Sequence, residues 1–315
     1  MKNQVSKRHL LSILDFESND LLNLVKRAVA FATTEEVRQS SLRGRTVGIY
    51  FRGPSTRTRT SFTVAAHRLG ANTIHYGPAD LQLSTGETVE DTARVLSGFL
   101  HALVIRTNDS LSEMQQFANQ DRMSVVNAMS ENEHPTQAIA DLATMREALG
   151  RLDDVHVLYL GEGNNSAASL AFAIAKMRGM RLTLVTPAGY GLPGAQLERA
   201  QLIARESGSE IVQHHQIGEL PGNVDVVYTT RWQTMGVPKP DPEWKSKFKP
   251  YGVTSDLMAR VSRSSKTIFL HDLPAVRGDD VTDEVLDGPQ SKAFRQAEYK
   301  LFGAMAALAW CAGDF

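Results

Sequence analysis

The chain has 315 residues, too many for one ordinary core and enough for about two domains. Its hydrophobic fraction of 42%, charged fraction of 22% and net charge of -1 are those of a globular protein. They give no general reason to expect nucleic acid or a membrane as partner. The single cysteine, Cys311, excludes an internal disulfide and any cysteine-based metal cluster, and the first residues lack a signal-peptide core. A cytoplasmic enzyme or binding protein is expected.

Taken in order, an apolar helical pattern at Leu21, Leu22, Val25, Ala28 and Val29 precedes a strand, Thr46 to Tyr50. Phe51 to Phe62 follows, reading Phe-Arg-Gly-Pro-Ser-Thr-Arg-Thr-Arg-Thr-Ser-Phe. This is a tight turn opening a helix whose first turn carries Ser55, Thr56, Arg57, Thr58 and Arg59. A helix start offers unpaired N–H groups and the positive end of the dipole. With hydroxyls and guanidiniums at the same spot, the natural occupant is a phosphate. The plainer alternative is a hydroxyl cap, but capping needs one hydroxyl and no arginine.

A strand at Asn72 to Tyr76, a polar loop from Gly77 to Gly86, and a helix from Glu87 come next, with Val95, Leu96 and Phe99 expected on the helix's inner face. A buried strand, Ala102 to Ile105, ends at Arg106; a helix near Ser110 to Ala118 and a strand at Ser124 to Met129 follow. A long helix from Glu133 to Leu149 starts with His134-Pro135-Thr136-Gln137. A second alternating series runs from Val155 to Leu270, with a Pro-rich loop from Gly236 to Tyr251, and a helix closes the chain from roughly Ser291 to Cys311. The expected fold is α/β: two doubly wound parallel-sheet domains joined by a long interdomain helix and a C-terminal return helix. Residues 1–149, with 291–315 packing back, form one domain, and 150–290 the other. Strand ends, and so the ligand loops, should share one cleft.

Ser55-Thr56-Arg57-Thr58-Arg59, Arg106-Thr107, His134-Pro135-Thr136-Gln137 and His271-Asp272-Leu273-Pro274 stand in that order. Together they resemble the aspartate/ornithine carbamoyltransferase family, over essentially the whole chain. The resemblance implies a carbamoyl-phosphate domain, then an amino-acid domain, a homotrimer or a multiple of trimers, and no metal or organic cofactor. Ser55, Thr56, Arg57, Thr58 and Arg106 would hold the phosphate, with Lys300 standing for an arginine of the ornithine branch. His134 and Gln137 would bind the carbamoyl group, and the Leu273 carbonyl would accept its amide N–H. Gln82 matches a residue that reaches into the neighbouring subunit's site. Arg106, His134, Thr58 and Asp272 are the expected catalytic group.

For the amine acceptor, Gly161-Glu162-Gly163-Asn164-Asn165 and Met235-Gly236 are similar to the ornithine branch. That branch's aspartate for ornithine's α-amine aligns with Thr230, however, and the cysteine of its His-Cys-Leu-Pro with Asp272. Thr230-Arg231-Trp232-Gln233 instead resembles the Thr-Arg-x-Gln of the aspartate branch. The amino-acid pocket is therefore assigned to Asn165, Thr230, Arg231, Gln233, Met235 and Asp272. It suits L-2,3-diaminopropionate carbamoylated on its β-amine, with ornithine as the alternative. A dehydrogenase is disfavoured, because Ser166 replaces the third glycine of a dinucleotide fingerprint. A non-catalytic carbamoyl-phosphate-binding or regulatory protein is the rival of another class.

Overall fold

The computed structural model describes residues 8–34, 41–233 and 238–313. Two compact units partition the chain: residues 1–140 with 299–315, and residues 141–298. The division thus falls inside two helices, whereas the sequence reading placed it at residues 149 and 291.

In the first unit, α1 (Ser18–Thr33) precedes β1 (Thr46–Phe51), α2 (Arg57–Arg68), β2 (Asn72–Tyr76), α3 (Val89–Leu96), β3 (Ala102–Arg106), α4 (Ser112–Ala118) and β4 (Ser124–Met129). The four strands form a parallel sheet in the order β2-β1-β3-β4. Every residue of β3 and β4 is buried, as expected of strands covered on both faces. Because β2 lies on one side of β1 and β3 on the other, the connections after β1 and β3 flank the switch point where α/β sheets bind ligands.

The expected inner face of α3 needs correcting. Leu96 is buried with Thr92 and Ala93, but Val95 is 53% and Phe99 69% exposed. The helix ends at Leu96, so Phe99 lies beyond it and the helical period no longer governs where its ring points.

The long helix α5 spans Pro135–Leu149. The second unit follows with β5 (His156–Leu160), α6 (Asn165–Ala175), β6 (Arg181–Val185), α7 (Gly194–Ser207), β7 (Glu210–His214) and β8 (Val226–Thr229). Two short helices, α8 (Trp244–Phe248) and α9 (Ser255–Val261), then lead to β9 (Ile268–His271), α10 (Asp283–Leu286) and α11 (Ala293–Cys311). The five strands are parallel in the order β7-β6-β5-β8-β9, with the switch point between β5 and β8. The segment of α8 falls within the expected Pro-rich loop but forms a short helix; α9 is set by Thr254, whose side chain accepts the Leu257 N–H. Cys311 is buried, and among the described residues no helix is long and apolar enough to cross a membrane.

At the start of β5 the His156 N–H donates to Asp225 Oδ2 at 2.9 Å, and its Nε2 lies 3.0 Å from Thr183 Oγ1. Burial, reinforced by Arg181, pushes the imidazole down to about 4. The unfolded chain, with an ordinary histidine near 6.5, therefore binds a proton first as pH falls. Stability is full above about 6.5 and is lost progressively down to about 4, by ~3 kcal/mol at most. His156→Gln, which keeps a polar group but does not titrate, should narrow the gap between urea midpoints at pH 7.5 and pH 5. An unchanged gap would refute the assignment.

Candidate active site

In the first unit the site is assembled around the ends of β1 and β3. Phe51 pairs with Arg106 in the sheet, and the Arg52 N–H donates to the Arg106 carbonyl at 3.0 Å. The Arg106 side chain, 7% exposed, donates from Nη1 to Thr58 Oγ1 at 3.2 Å. The end of β3 is thereby tied to the first turn of α2. Thr56 is the residue capping α2, yet its side chain makes no capping hydrogen bond. Hydroxyl capping therefore does not explain this sequence. Ser55, Thr56 and Arg57 stand at a twelve-residue helix start whose N–H groups face the same demand for an acceptor.

His134, Thr136 and Gln137 are buried at the start of α5. That start is fixed by Glu133, which accepts hydrogen bonds from Ser12 Oγ and, at 3.1 Å, from the Ile13 N–H. Lys300, on α11, donates to Gln137 Oε1. Burial first, then the positive charges of Lys300 and Arg106, hold the His134 imidazole well below its ordinary value. It is neutral near pH 7, with one N–H to donate and one nitrogen to accept. Gln82 stands apart from this group, on an exposed 3-10 turn (Gln82–Thr85), where its Oε1 accepts the Thr85 hydroxyl at 2.8 Å.

In the second unit the loops after β5, β8 and β9 carry the candidate residues. Gly161 follows β5 at φ +117, a backbone open to glycine and costly for other residues. A Cβ on Gly163 would lie 2.2 Å from the Leu192 nitrogen, so that position also admits only glycine. Asn164 caps α6 through Oδ1, which accepts the Ser166 and Ala167 N–H groups at 3.0 and 3.1 Å. Its Nδ2 donates to Thr230 Oγ1 at 3.2 Å, and the Thr230 hydroxyl donates to Asp272 Oδ1 at 2.9 Å. Asn165 is the first residue of α6.

Arg231 and Gln233 line a cavity of about 210 Å³ together with Trp232, Trp244, Lys245, Val276, Asp279 and Asp280. Asn165, Thr230 and Asp272 are not among its described lining residues. Its two cations are matched by two carboxylates, and Lys245 Nζ lies 2.7 Å from Asp279 Oδ2. Trp232 is 4% exposed, and its Nε1–H has no partner among the described residues. Met235 lies outside the described residues.

Several contacts around these loops were not legible in the sequence. His271 is fully buried; its Nε2 lies 2.9 Å from Asp280 Oδ2 and its Nδ1 accepts the Leu273 N–H at 2.8 Å. The two contacts fix the tautomer, with the proton on Nε2. They also hold Leu273 at φ +52, a conformation that costs a leucine roughly 1–3 kcal/mol and that orients its carbonyl. Lys239 pairs with Glu162 and sits 4.7, 5.5 and 5.0 Å from the ring centres of Tyr190, Trp244 and Phe248. Its ammonium braces the segment after Gln233 against the Gly161 turn. The pairs Glu162–Lys239 and His271–Asp280 are non-local contacts with no sequence signature.

Residues 8–147 match the carbamoyl-P binding domain of aspartate/ornithine carbamoyltransferases, and residues 153–311 match the Asp/Orn binding domain of the same family. The chain is 39% identical over 311 residues to an ornithine carbamoyltransferase of Caldicellulosiruptor saccharolyticus, covering 97% of this chain and 99% of the relative. It is 38% identical over 308 residues to that of Methanothermobacter thermautotrophicus, with coverages of 98% and 99%. Among solved structures, ornithine carbamoyltransferase from Pyrococcus furiosus superposes with a TM-score of 0.90 at 35% identity, over 99% of each chain. The Giardia lamblia enzyme superposes with a TM-score of 0.87 at 27% identity, over 98% of this chain and 99% of its own. With both domains matched along nearly its full length, this chain belongs to the aspartate/ornithine carbamoyltransferase family, enzymes that transfer carbamoyl groups.

Proposed function

We propose that the chain transfers the carbamoyl group of carbamoyl phosphate to a primary amine of a small diamino acid, releasing phosphate. Its preferred acceptor is L-2,3-diaminopropionate, giving β-ureidoalanine, and it works in the cytoplasm. The observation that carries the acceptor class is the Thr230–Asp272 contact of 2.9 Å. It puts a carboxylate beside the position where the ornithine branch has its aspartate, so a second ammonium on the acceptor has a partner.

The donor half follows from the first unit. Arg57, the hydroxyls of Ser55, Thr56 and Thr58, and the start of α2 bind the phosphate, with Lys300 adding charge through its place beside Gln137. The acceptor's neutral amine attacks the carbamoyl carbon, and the C–N bond forms as the carbonyl oxygen gains negative charge. Arg106, Thr58 and neutral His134 donate to that oxygen. The carbamoyl amide is oriented by Gln137 and the Leu273 carbonyl. The C–O bond to phosphate then breaks, and the departing phosphate takes the amine's proton. No side-chain nucleophile is required, because phosphate is already a good leaving group and positioning supplies much of the rate.

For the acceptor, Arg231, Gln233 and the Trp232 N–H bind a carboxylate, while Asp272 and Asn165 hold the α-ammonium. A buried N–H without a partner costs about 1–3 kcal/mol, and an acceptor carboxylate recovers that. In diaminopropionate one methylene separates the attacked nitrogen from the carbon bearing both groups. Ornithine is the second reading: the relatives are named ornithine carbamoyltransferases, and the Asp272 carboxylate would serve a longer diamino acid as well.

A trimer, with Gln82 completing a neighbour's site, is the assembly we infer. Supporting it are the exposed Gln82 turn and the apolar Val95 and Phe99, 53% and 69% exposed on the same unit.

Phosphate release with diaminopropionate, 2,4-diaminobutyrate and ornithine, each with carbamoyl phosphate, should give the highest kcat/KM for diaminopropionate. A tenfold advantage for ornithine would overturn that preference, and carbamoyl-phosphate binding without turnover of any amine would overturn the enzyme reading. Arg231→Ala should raise the acceptor KM at least tenfold and leave the carbamoyl-phosphate KM within twofold; unchanged acceptor kinetics would remove Arg231 from the site. In light scattering, the native protein should have the mass of three chains and Phe99→Glu that of one. A native monomer would refute the trimer.

A further inference from the structure

The loops assigned to carbamoyl transfer follow β5, β8 and β9. At the opposite edge of the same sheet, where the strands begin, lies a cavity of about 600 Å³ that the reaction does not use. Its lining includes Arg151, Arg263, Lys266, Lys292, Ser264 and Ser265. Asp225, just before β8, is the one carboxylate among its described lining residues, so cations exceed anions by three. Arg151 Nη2 and Arg263 Nη1 both lie 3.2 Å from Oδ1 of Asp225. The other carboxylate oxygen is occupied by the His156 N–H.

This arrangement does two things. Asp225 is nearly buried, and by holding two guanidiniums to one oxygen it keeps them close despite their repulsion. Each is also anchored by a main-chain carbonyl: Arg151 by that of Asp153, and Arg263 Nε by that of Asn223 at 3.2 Å. A guanidinium has five N–H donors in a planar fork, and these anchors use only part of each set. The remaining donors are pre-positioned on short turns, which lowers the ordering cost of binding. Lys266 and Lys292 line the same cavity, and neither ammonium meets a carboxylate among the described residues.

We propose that this cavity is a second anion-binding site, which takes a small polyphosphate or a metabolite carrying two phosphate groups. The excess of three positive charges matches a ligand of about that negative charge, and Arg–phosphate pairing can be bidentate. No aromatic side chain is among the described lining residues, so nothing is offered for a nucleobase to stack on. The volume falls within the range of small-molecule sites. Bound there, such a ligand bridges the segment before β5, the turn before β9 and the segment leading into α11, three parts of the second unit.

The test uses inorganic tripolyphosphate and calorimetry at fixed ionic strength. The full-length Arg57→Ala protein serves as the parent, to suppress binding at the donor site. It should bind tripolyphosphate saturably with a sub-millimolar Kd, and adding Lys266→Ala and Lys292→Ala should weaken binding at least fivefold. Raising the salt should weaken binding in the parent more steeply than in the triple variant, since fewer cations then contact the ligand. No binding by the parent up to 1 mM, or a loss below fivefold on removing both lysines, overturns the proposal. Both lysines are partly or fully exposed, so circular dichroism should report an unchanged fold and leave the comparison interpretable.

Discussion

The hydrogen bond from Arg106 to Thr58 is the contact on which the proposed donor site of the first unit depends. It joins the end of one central strand to the first turn of the helix that follows the other, across the switch point of the sheet. Parallel pairing of Phe51 with Arg106 brings those two chain ends level. The guanidinium is then held beside a helix start whose capping hydroxyl is not engaged in capping. With Arg106 and Lys300 already positive, a third charge on His134 would be repelled in a buried place, and the imidazole stays neutral. In the proposed reaction a dianionic phosphate suits the two cations, and a neutral ring N–H suits an oxygen that becomes negative only as the carbamoyl group is transferred.

The second unit meets a different requirement, that of presenting main-chain and carboxylate oxygens in fixed directions. His271 does this from a fully buried position. One ring nitrogen engages Asp280 and the other receives the Leu273 N–H, and the turn between β9 and α10 is set by that pair. Tyr228 is locked in a related way, between Asp141 and Gln296, whose Oε1 also receives the His271 N–H. Burial, with Asp141 beside it, holds the Tyr228 phenol well above its ordinary value, so it remains a donor. Rigid support of this kind matters because transfer rates fall steeply with small displacements of the reacting groups.

Much of this was legible in the chain itself. The strands β2 and β4 span the residues expected of them from the sequence, and α2 opens at the turn that its hydroxyls and arginines mark. Legibility failed where a property depends on something other than local pattern. Val95 and Phe99 have core-like side chains, but nothing in their spacing says that no described element of this chain covers them. The helix α8 has five residues, too few for a 3.6-residue period to declare itself. Glu162 and Lys239 are 77 residues apart, and their pairing is a product of the fold.

The Thr230–Asp272 contact has a consequence for how such a pocket can change over evolutionary time. Where the resemblance to the ornithine branch expects a carboxylate in the loop after β8, the chain has Thr230, and a carboxylate stands on Asp272 in the loop after β9. The two side chains touch, so the positions are epistatic. Restoring an aspartate at Thr230 alone would press two carboxylates together, and one of them would take up a proton. Replacing Asp272 alone would strip the cluster of its charge. Neither single change conserves the charge of the cluster, so the two positions are electrostatically coupled.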